Sequence, residues 1–263
     1  MESCEWRIQS RTHLSTYQLM YIKKILVIIA LLGLVGLAGF SYYIYNVIFS
    51  SNTAFAEDTV DVFIPTGATY VEVREELSPY LEDRQEFDLV AEKKGYTSNI
   101  KAGRFILKKG MSNNDIINTL RSTNEPVWVT FNNQERLEDL AGRVAGQIEA
   151  DSLALLKVMQ DSAFLEQYEL NRRNALGMYI PNKYQFYWNT SAEEFRERMR
   201  TEYDRFWTSE RLQKAEDLGL TPNEVMVLAS IVQKETAKED ERKRVAGVYM
   251  IRIKKGWKLE ADP

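Results

Sequence analysis

The sequence predicts an α+β protein: a single N-terminal transmembrane helix, then a small α+β module, then a mainly helical α+β domain. Three observations carry this. Residues 25–49 contain no charged side chain. Beyond them a short β-rich run, a turn and an amphipathic helix recur in that order. From Asp151 onward, apolar residues fall at helical spacing over long stretches.

The apolar segment is long enough to cross a bilayer, which takes about 20 such residues. Lys23 and Lys24 sit directly before it, with Arg7 and Arg11 upstream. Residues 46–70 hold no Lys or Arg, only Glu57, Asp58 and Asp61. The positive-inside rule puts residues 1–24 in the cytoplasm as a tail and the rest of the chain outside. Tyr42, Tyr43 and Tyr45 mark the outer interface. The rival reading is a cleaved signal peptide, with Ala54, Phe55 and Ala56 as the small-x-small site. The run is longer than a usual signal core and the site lies well past its end, which favours a retained anchor.

Residues 50–59 read as a polar linker. The first strand–turn–helix copy is Val60, Asp61, Val62, Phe63 and Ile64, then Pro65, Thr66 and Gly67, then a helix through Val71, Val73 and Leu77. The second opens at Gly103, Phe105 and Leu107, turns at Gly110, and enters a helix at Ser112 with Asp115, a capping pair. The third runs through Val127, Val129 and Phe131 to Asn132 and Asn133, then Leu137, Leu140 and Val144. The fourth, looser, joins Tyr184, Phe186 and Trp188 to Phe195 and Met199. Residues 151–170 and 193–218 read as continuous helices. By themselves these copies describe ordinary α+β packing, each helix covering the strand before it.

Composition removes several functions. Of 263 residues, 44% are hydrophobic and 27% charged, a globular balance. The net charge of −4 argues against a nucleic-acid partner. The one Cys and the one His, Cys4 and His13, both precede the apolar segment. The remainder can form no disulfide, no Cys/His zinc site and no Ser-His or Cys-His nucleophile system. No cofactor is expected, and the chemistry must come from Asp, Glu, Lys, Tyr, Ser or Thr.

Thr221, Pro222 and Glu224 form a helix start with a capping box. Val225, Met226, Val227, Leu228, Ala229, Ile231 and Val232 make the helix apolar nearly all round, so a buried core helix is expected. It ends in Gln233, Lys234, Glu235 and Thr236. Glu235 shares a face with Leu228, Ile231 and Val232, where desolvation would keep the acid protonated and fit it to general-acid work. The bland alternative is a charge on a solvated last turn. A further helix follows, with Val245, Val248, Tyr249 and Ile253 inward and Gly256 at its end.

Leu228, Ala229, Ser230, Ile231, Val232, Gln233, Lys234, Glu235 and Thr236 resemble the signature L-A-S-I-V-E-K-E-T. Glu241, then Val245, Ala246, Gly247, Val248 and Tyr249, then Arg252, Gly256, Leu259, Asp262 and Pro263 continue it. Together they resemble the membrane-anchored endolytic murein transglycosylases, the MltG or YceG-like family. Tyr179, Pro181, Tyr184, Gln185 and Phe186 are similar to that family's F-P-D-T-Y-E-F element. The resemblance implies a LysM-like module over residues 60–125 and a YceG-like catalytic domain over 126–263. It implies Glu235 as the catalytic acid and then base, with Tyr184, Gln185, Glu241, Arg252 and Asp262 binding substrate and no metal. The implied partners are peptidoglycan glycan strands, the cytoplasmic membrane and a peptidoglycan synthase. Two positions depart from the pattern: the first signature glutamate is Gln233, and the family's Asn in N-R-L is Ile251. The family runs on past Asp262 and Pro263, so a truncated catalytic domain is expected. The rival functions are an inert wall-binding module and a hydrolytic glycosidase with a carboxylate pair.

Overall fold

The computed structural model describes residues 2–122 and 124–260, with side chains from residue 20 onward. In chain order the helices and strands are α1 (Glu2–Phe49), β1 (Thr59–Ile64), α2 (Tyr70–Leu77), α3 (Arg84–Lys93), β2 (Gly103–Lys108), α4 (Asn113–Leu120), β3 (Pro126–Phe131), α5 (Leu137–Ala145), α6 (Ser152–Met159), α7 (Ser162–Glu166), β4 (Asn182–Tyr187), α8 (Ala192–Phe206), α9 (Ser209–Leu218), α10 (Pro222–Glu235) and α11 (Glu239–Lys254). Strands pair two by two, β1 with β2 and β3 with β4. All four recurring copies supply a strand and the helix after it, as the alternation of apolar residues required. The mixed helical and sheet class is therefore as predicted.

The chain divides into two compact units. The first contains residues 1–62, 68–101 and 105–123; the second contains 63–67, 102–104 and 124–263. Within the first, residues 20–49 of α1 are long and apolar enough to span a membrane. Their side chains are exposed until the last turn, where Val47 is only 4% exposed. There α1 packs against α3 and α4. The apolar faces of the small helices, including Val73, Leu77, Phe87, Ile116 and Leu120, are buried.

The segment expected as a free linker is instead built into this unit. Ser51 and Thr53 form isolated β-bridges with Ser112 and Leu81. Asn52, 2% exposed, accepts from the Asp83 amide at 2.6 Å, donates to the Asp83 carbonyl at 2.7 Å, and donates to Asn113 at 2.6 Å. Asn113, also buried, donates in turn to the Val47 carbonyl at 2.8 Å. A polar segment reads as linker from composition, but these polar groups are spent inside, replacing water around buried backbone. Asn52→Ala would strand the Asp83 amide and the Asn113 side-chain oxygen. Denaturant unfolding is expected to show a loss of about 1–3 kcal/mol, and an unchanged midpoint would disprove the network's role.

In the second unit the β3–β4 sheet is antiparallel, with Val129 opposite Tyr184 and Phe131 opposite Asn182. Its inner face, with Val129, Phe131, Tyr184 and Phe186, joins Leu140 and Val144 of α5, Leu155 and Met159 of α6, and Phe195 and Met199 of α8 in one core. The two long helices read from the sequence are each divided. Asp161 caps α7 after a break at Gln160, and Thr208 caps α9 after Trp207. Apolar periodicity continues across both breaks, whereas a side-chain oxygen that captures free amides starts a new helix.

The largest difference concerns α10, expected to be buried all round. Only Val232 of this helix is buried, and Val227 is 44% exposed. Its main packing partners are α9, α11 and the single turn Ala175–Met178. These cover the helix in part, since an all-round apolar sequence does not itself supply neighbours for every side.

Candidate active site

The site is built on the α10–α11 pair. Thr221 starts α10 with the predicted capping box. Its hydroxyl accepts from the Glu224 amide, while the Glu224 carboxylate accepts from the Thr221 amide at 2.8 Å and from its hydroxyl at 3.0 Å. These donors hold the Glu224 carboxyl below the usual range. A depressed folded pKa gives stability that is complete above the unfolded value and lost as pH falls toward the folded one. The melting midpoints of the parent and Glu224→Gln should therefore differ at neutral pH and converge as the pH falls below the usual carboxylate range. A constant gap would refute the assignment.

Asn223, also in the first turn, donates to the carbonyls of Tyr168 and Glu169 at 3.2 and 3.0 Å and ties α10 to the preceding layer. At the other end, Glu235 is the last helical residue and Thr236 turns into extended backbone. The buried Thr236 hydroxyl accepts from the Lys238 amide at 3.1 Å and donates to Glu241 at 2.9 Å. The second Glu241 oxygen faces the Lys238 ammonium at 3.3 Å. The turn is thus stapled by its own side chains, and the direction of α11 relative to α10 follows from it.

That direction brings Tyr249, buried on α11, to Glu235. Its hydroxyl donates to Glu235 Oε1 at 2.8 Å. Arg252 lies one turn further on, its guanidinium carbon 6.0 Å from the centre of the Tyr249 ring. It donates to the Leu259 carbonyl and sits 3.7 Å from Glu260. Gly256, at φ +65°, closes the helix and lets the Trp257 amide reach the Arg252 carbonyl at 2.9 Å. Lys234, beside Glu235, pairs with Glu135 in the loop that leaves β3.

The structure thus gathers three of the sequence-predicted residues, Glu235, Glu241 and Arg252, onto one helix pair. Glu235 itself is exposed, which corrects the expectation of a desolvated carboxylate; the apolar residues on its face lie beneath it and leave its head in water. Tyr184 is in the core, its ring tilted against that of Phe131 at 5.7 Å, with its hydroxyl on the Ile180 carbonyl at 2.6 Å. Burial pushes that phenol up to about 12. Gln185 is on the opposite, solvent face of β4. Trp188 packs on Phe63 at 5.1 Å. Asp262 lies outside the described residues. The residue missed in the sequence as a site group is Tyr249. Its inward position on α11 was legible, but its Glu235 partner is fourteen residues away across a turn. Among the described residues no group of three Asp, Glu, His or Cys side chains could hold a metal ion.

A strand-and-helix layer followed by a helix pair holding a carboxylate against a tyrosine is the arrangement to be matched. The chain belongs to the YceG-like family, whose profile matches residues 62–263. An endolytic murein transglycosylase of Streptococcus pneumoniae serotype 2 strain D39 is 27% identical over 232 residues, covering 77% of this chain and 42% of that protein. The Bacillus subtilis strain 168 protein of the same name is 22% identical over 227 residues, covering 79% and 62%. The chain thus spans less than two thirds of the length of these curated relatives. A crystal structure of a yceG-like protein from Listeria monocytogenes aligns with a TM-score of 0.49 at 21% identity, covering 79% of this chain and 74% of that one.

Proposed function

We propose that this chain is a membrane-anchored endolytic lytic transglycosylase that cleaves peptidoglycan glycan strands, with Glu235 as acid and then base. The observation that carries the reading is the Tyr249–Glu235 hydrogen bond on the family's matched helix pair. Tyr249 engages Oε1, which leaves Oε2 as the oxygen that passes a proton. Glu235 gives that proton to the oxygen joining MurNAc to GlcNAc as the C1–O bond breaks. The MurNAc 6-oxygen then closes on C1, and its proton returns to Glu235. One carboxyl group serves both steps, no water is consumed, and the product ends in 1,6-anhydro-MurNAc. A strand lying across the exposed carboxylate would exclude water from it and supply the dry surroundings that acid catalysis uses.

Glu241 supports the single-carboxylate reading over a hydrolytic pair. Hydrolytic glycosidases usually set a second carboxylate free to act as base or nucleophile, whereas both Glu241 oxygens are engaged, by Thr236 and Lys238. Glu241 and Arg252 shape the site, and Gln185 is a substrate contact on the neighbouring sheet. The anchor is retained: cleavage after Ala56 would remove Val47 and Asn52, which are buried parts of the first unit. The tail is cytoplasmic, the globular part is extracytoplasmic, and a glycan synthase is the partner that would present new strands. A LysM-like module over residues 60–125 would add glycan binding.

The test is digestion of intact sacculi by the detergent-solubilised chain and by Glu235→Gln, with mass spectrometry of the fragments. Anhydro ends that depend on Glu235 are expected. Reducing ends would overturn the transglycosylase in favour of a hydrolase, and no cleavage would leave a wall-binding module.

A further inference from the structure

Apart from Gln185, the outer face of the β3–β4 sheet carries side chains to which nothing above gives a role. In the antiparallel register, Pro126, Trp128 and Thr130 stand opposite Tyr187, Gln185 and Lys183. Opposed residues share a face, and the alternate positions Val129, Phe131, Tyr184 and Phe186 fill the core. The six are therefore on the solvent side. Trp128 is 53% exposed and Tyr187 is 51% exposed. Large aromatics exposed on adjacent rungs of one sheet are unusual on a purely solvated face.

The chemistry of this face is specific. Trp128 and Tyr187 are diagonal neighbours, about 7–8 Å apart at the backbone, so their rings can serve one extended ligand. Between them Gln185 presents an amide with no protein hydrogen bond among the described residues, offering two donors and an acceptor. Thr130 adds a hydroxyl. Lys183 places its ammonium 4.5 Å from the Trp128 ring centre, which pins the indole while leaving half its surface open. The face holds no aliphatic side chain except Pro126, and one cation without an anion. An apolar protein surface would find little to pack on here. A sugar ring fits, because its slightly positive C–H face meets the negative face of an aromatic ring while its hydroxyls use amide and hydroxyl partners. The lone ammonium suits the carboxylates that stem peptides hang on such a strand.

The chain that leaves this face also reaches the candidate active site. Glu135, which pairs with Lys234 beside Glu235, follows Thr130 by five residues, a chain reach of at most about 18 Å.

We propose that Trp128, Tyr187 and Gln185 form a glycan-binding platform that seats the strand alongside the cleavage point. This rests on the transglycosylase reading for its ligand, and a binding assay separates the two. The full chain in detergent, carrying Glu235→Gln so that the ligand is not consumed, is titrated by calorimetry with glycan strands stripped of stem peptides by amidase. Trp128→Ala is expected to weaken binding at least tenfold, Tyr187→Ala several-fold, and Trp128→Phe less than threefold. Leu153→Ala, an exposed apolar control elsewhere, should stay within twofold. Circular dichroism melting confirms that each variant is folded, and Tyr187→Ala serves if Trp128→Ala is not. Binding within twofold of the parent for both alanine variants overturns the platform, as does a parent that shows no saturable binding. Anhydro-end formation by the Glu235 chain is scored separately. It fails if the transglycosylase reading is wrong, whether or not glycan binds the sheet.

Discussion

Glu235→Gln is expected to lower the rate of anhydro-end formation by roughly 10²–10⁴-fold, the usual contribution of a positioned acid–base group. Stability should change by no more than about 0.5 kcal/mol, because the side chain is exposed and glutamine keeps an oxygen for the Tyr249 hydroxyl. The pairing allows a stricter check. Tyr249→Phe removes the hydrogen bond that orients Glu235 and should reduce kcat about tenfold, the worth of one charge-assisted hydrogen bond. KM should hold, since Tyr249 is a positioning residue beneath the carboxylate. In the Glu235→Gln background the same substitution should add almost nothing, as groups acting as one unit are non-additive. Multiplicative losses in the double variant would show that Tyr249 acts elsewhere.

The second large effect is on stability. Gly103→Ala is expected to cost about 2–5 kcal/mol, a sizeable share of the 5–15 kcal/mol that holds a typical domain folded. Two causes combine. Gly103 has φ +138°, outside the left-handed region that other residues occasionally use. A Cβ there would also clash with the Asn124 side chain. Asn124 cannot simply swing aside: it accepts from the Arg104 amide at 2.8 Å and donates to Asn189 at 2.6 Å. Overpacking against a tethered group adds to the backbone strain. Denaturant unfolding of Gly103→Ala in the parent and in an Asn124→Ala background separates the terms. Asn124→Ala should relieve the steric part and leave the backbone part. A Gly103→Ala variant with the parent's midpoint would refute both.

Local chemistry explains which elements were legible. The four strands announced themselves by apolar alternation, and the capping boxes at Ser112 and Thr221 by residue type and spacing. α3 went unread because five of its ten residues are charged, leaving only Phe87, Val90 and Ala91 to mark a buried face. Its start was nevertheless signalled by Asp83, which accepts from the amides of Gln85 and Glu86. Breaks at Asp161 and Thr208 escaped notice because periodicity is blind to a change of helix axis that keeps the apolar spacing.

What the sequence by itself determined is the inventory: an apolar segment without charges, four strand-and-helix pairs, and Glu235 at the end of a capped helix. Each is fixed by side chains within a few residues of one another. The tertiary structure decided burial and partnership, which depend on residues far apart in the chain. It drew Asn52 into the first unit through Asp83 and Asn113, left α10 half-covered, kept Glu235 in water, and set Tyr249 against it. The α10–α11 turn, stapled by Thr236 and Glu241, fixes that last contact. A hydrogen bond across a turn requires two helix axes to be placed, and spacing along one chain does not specify the angle between them.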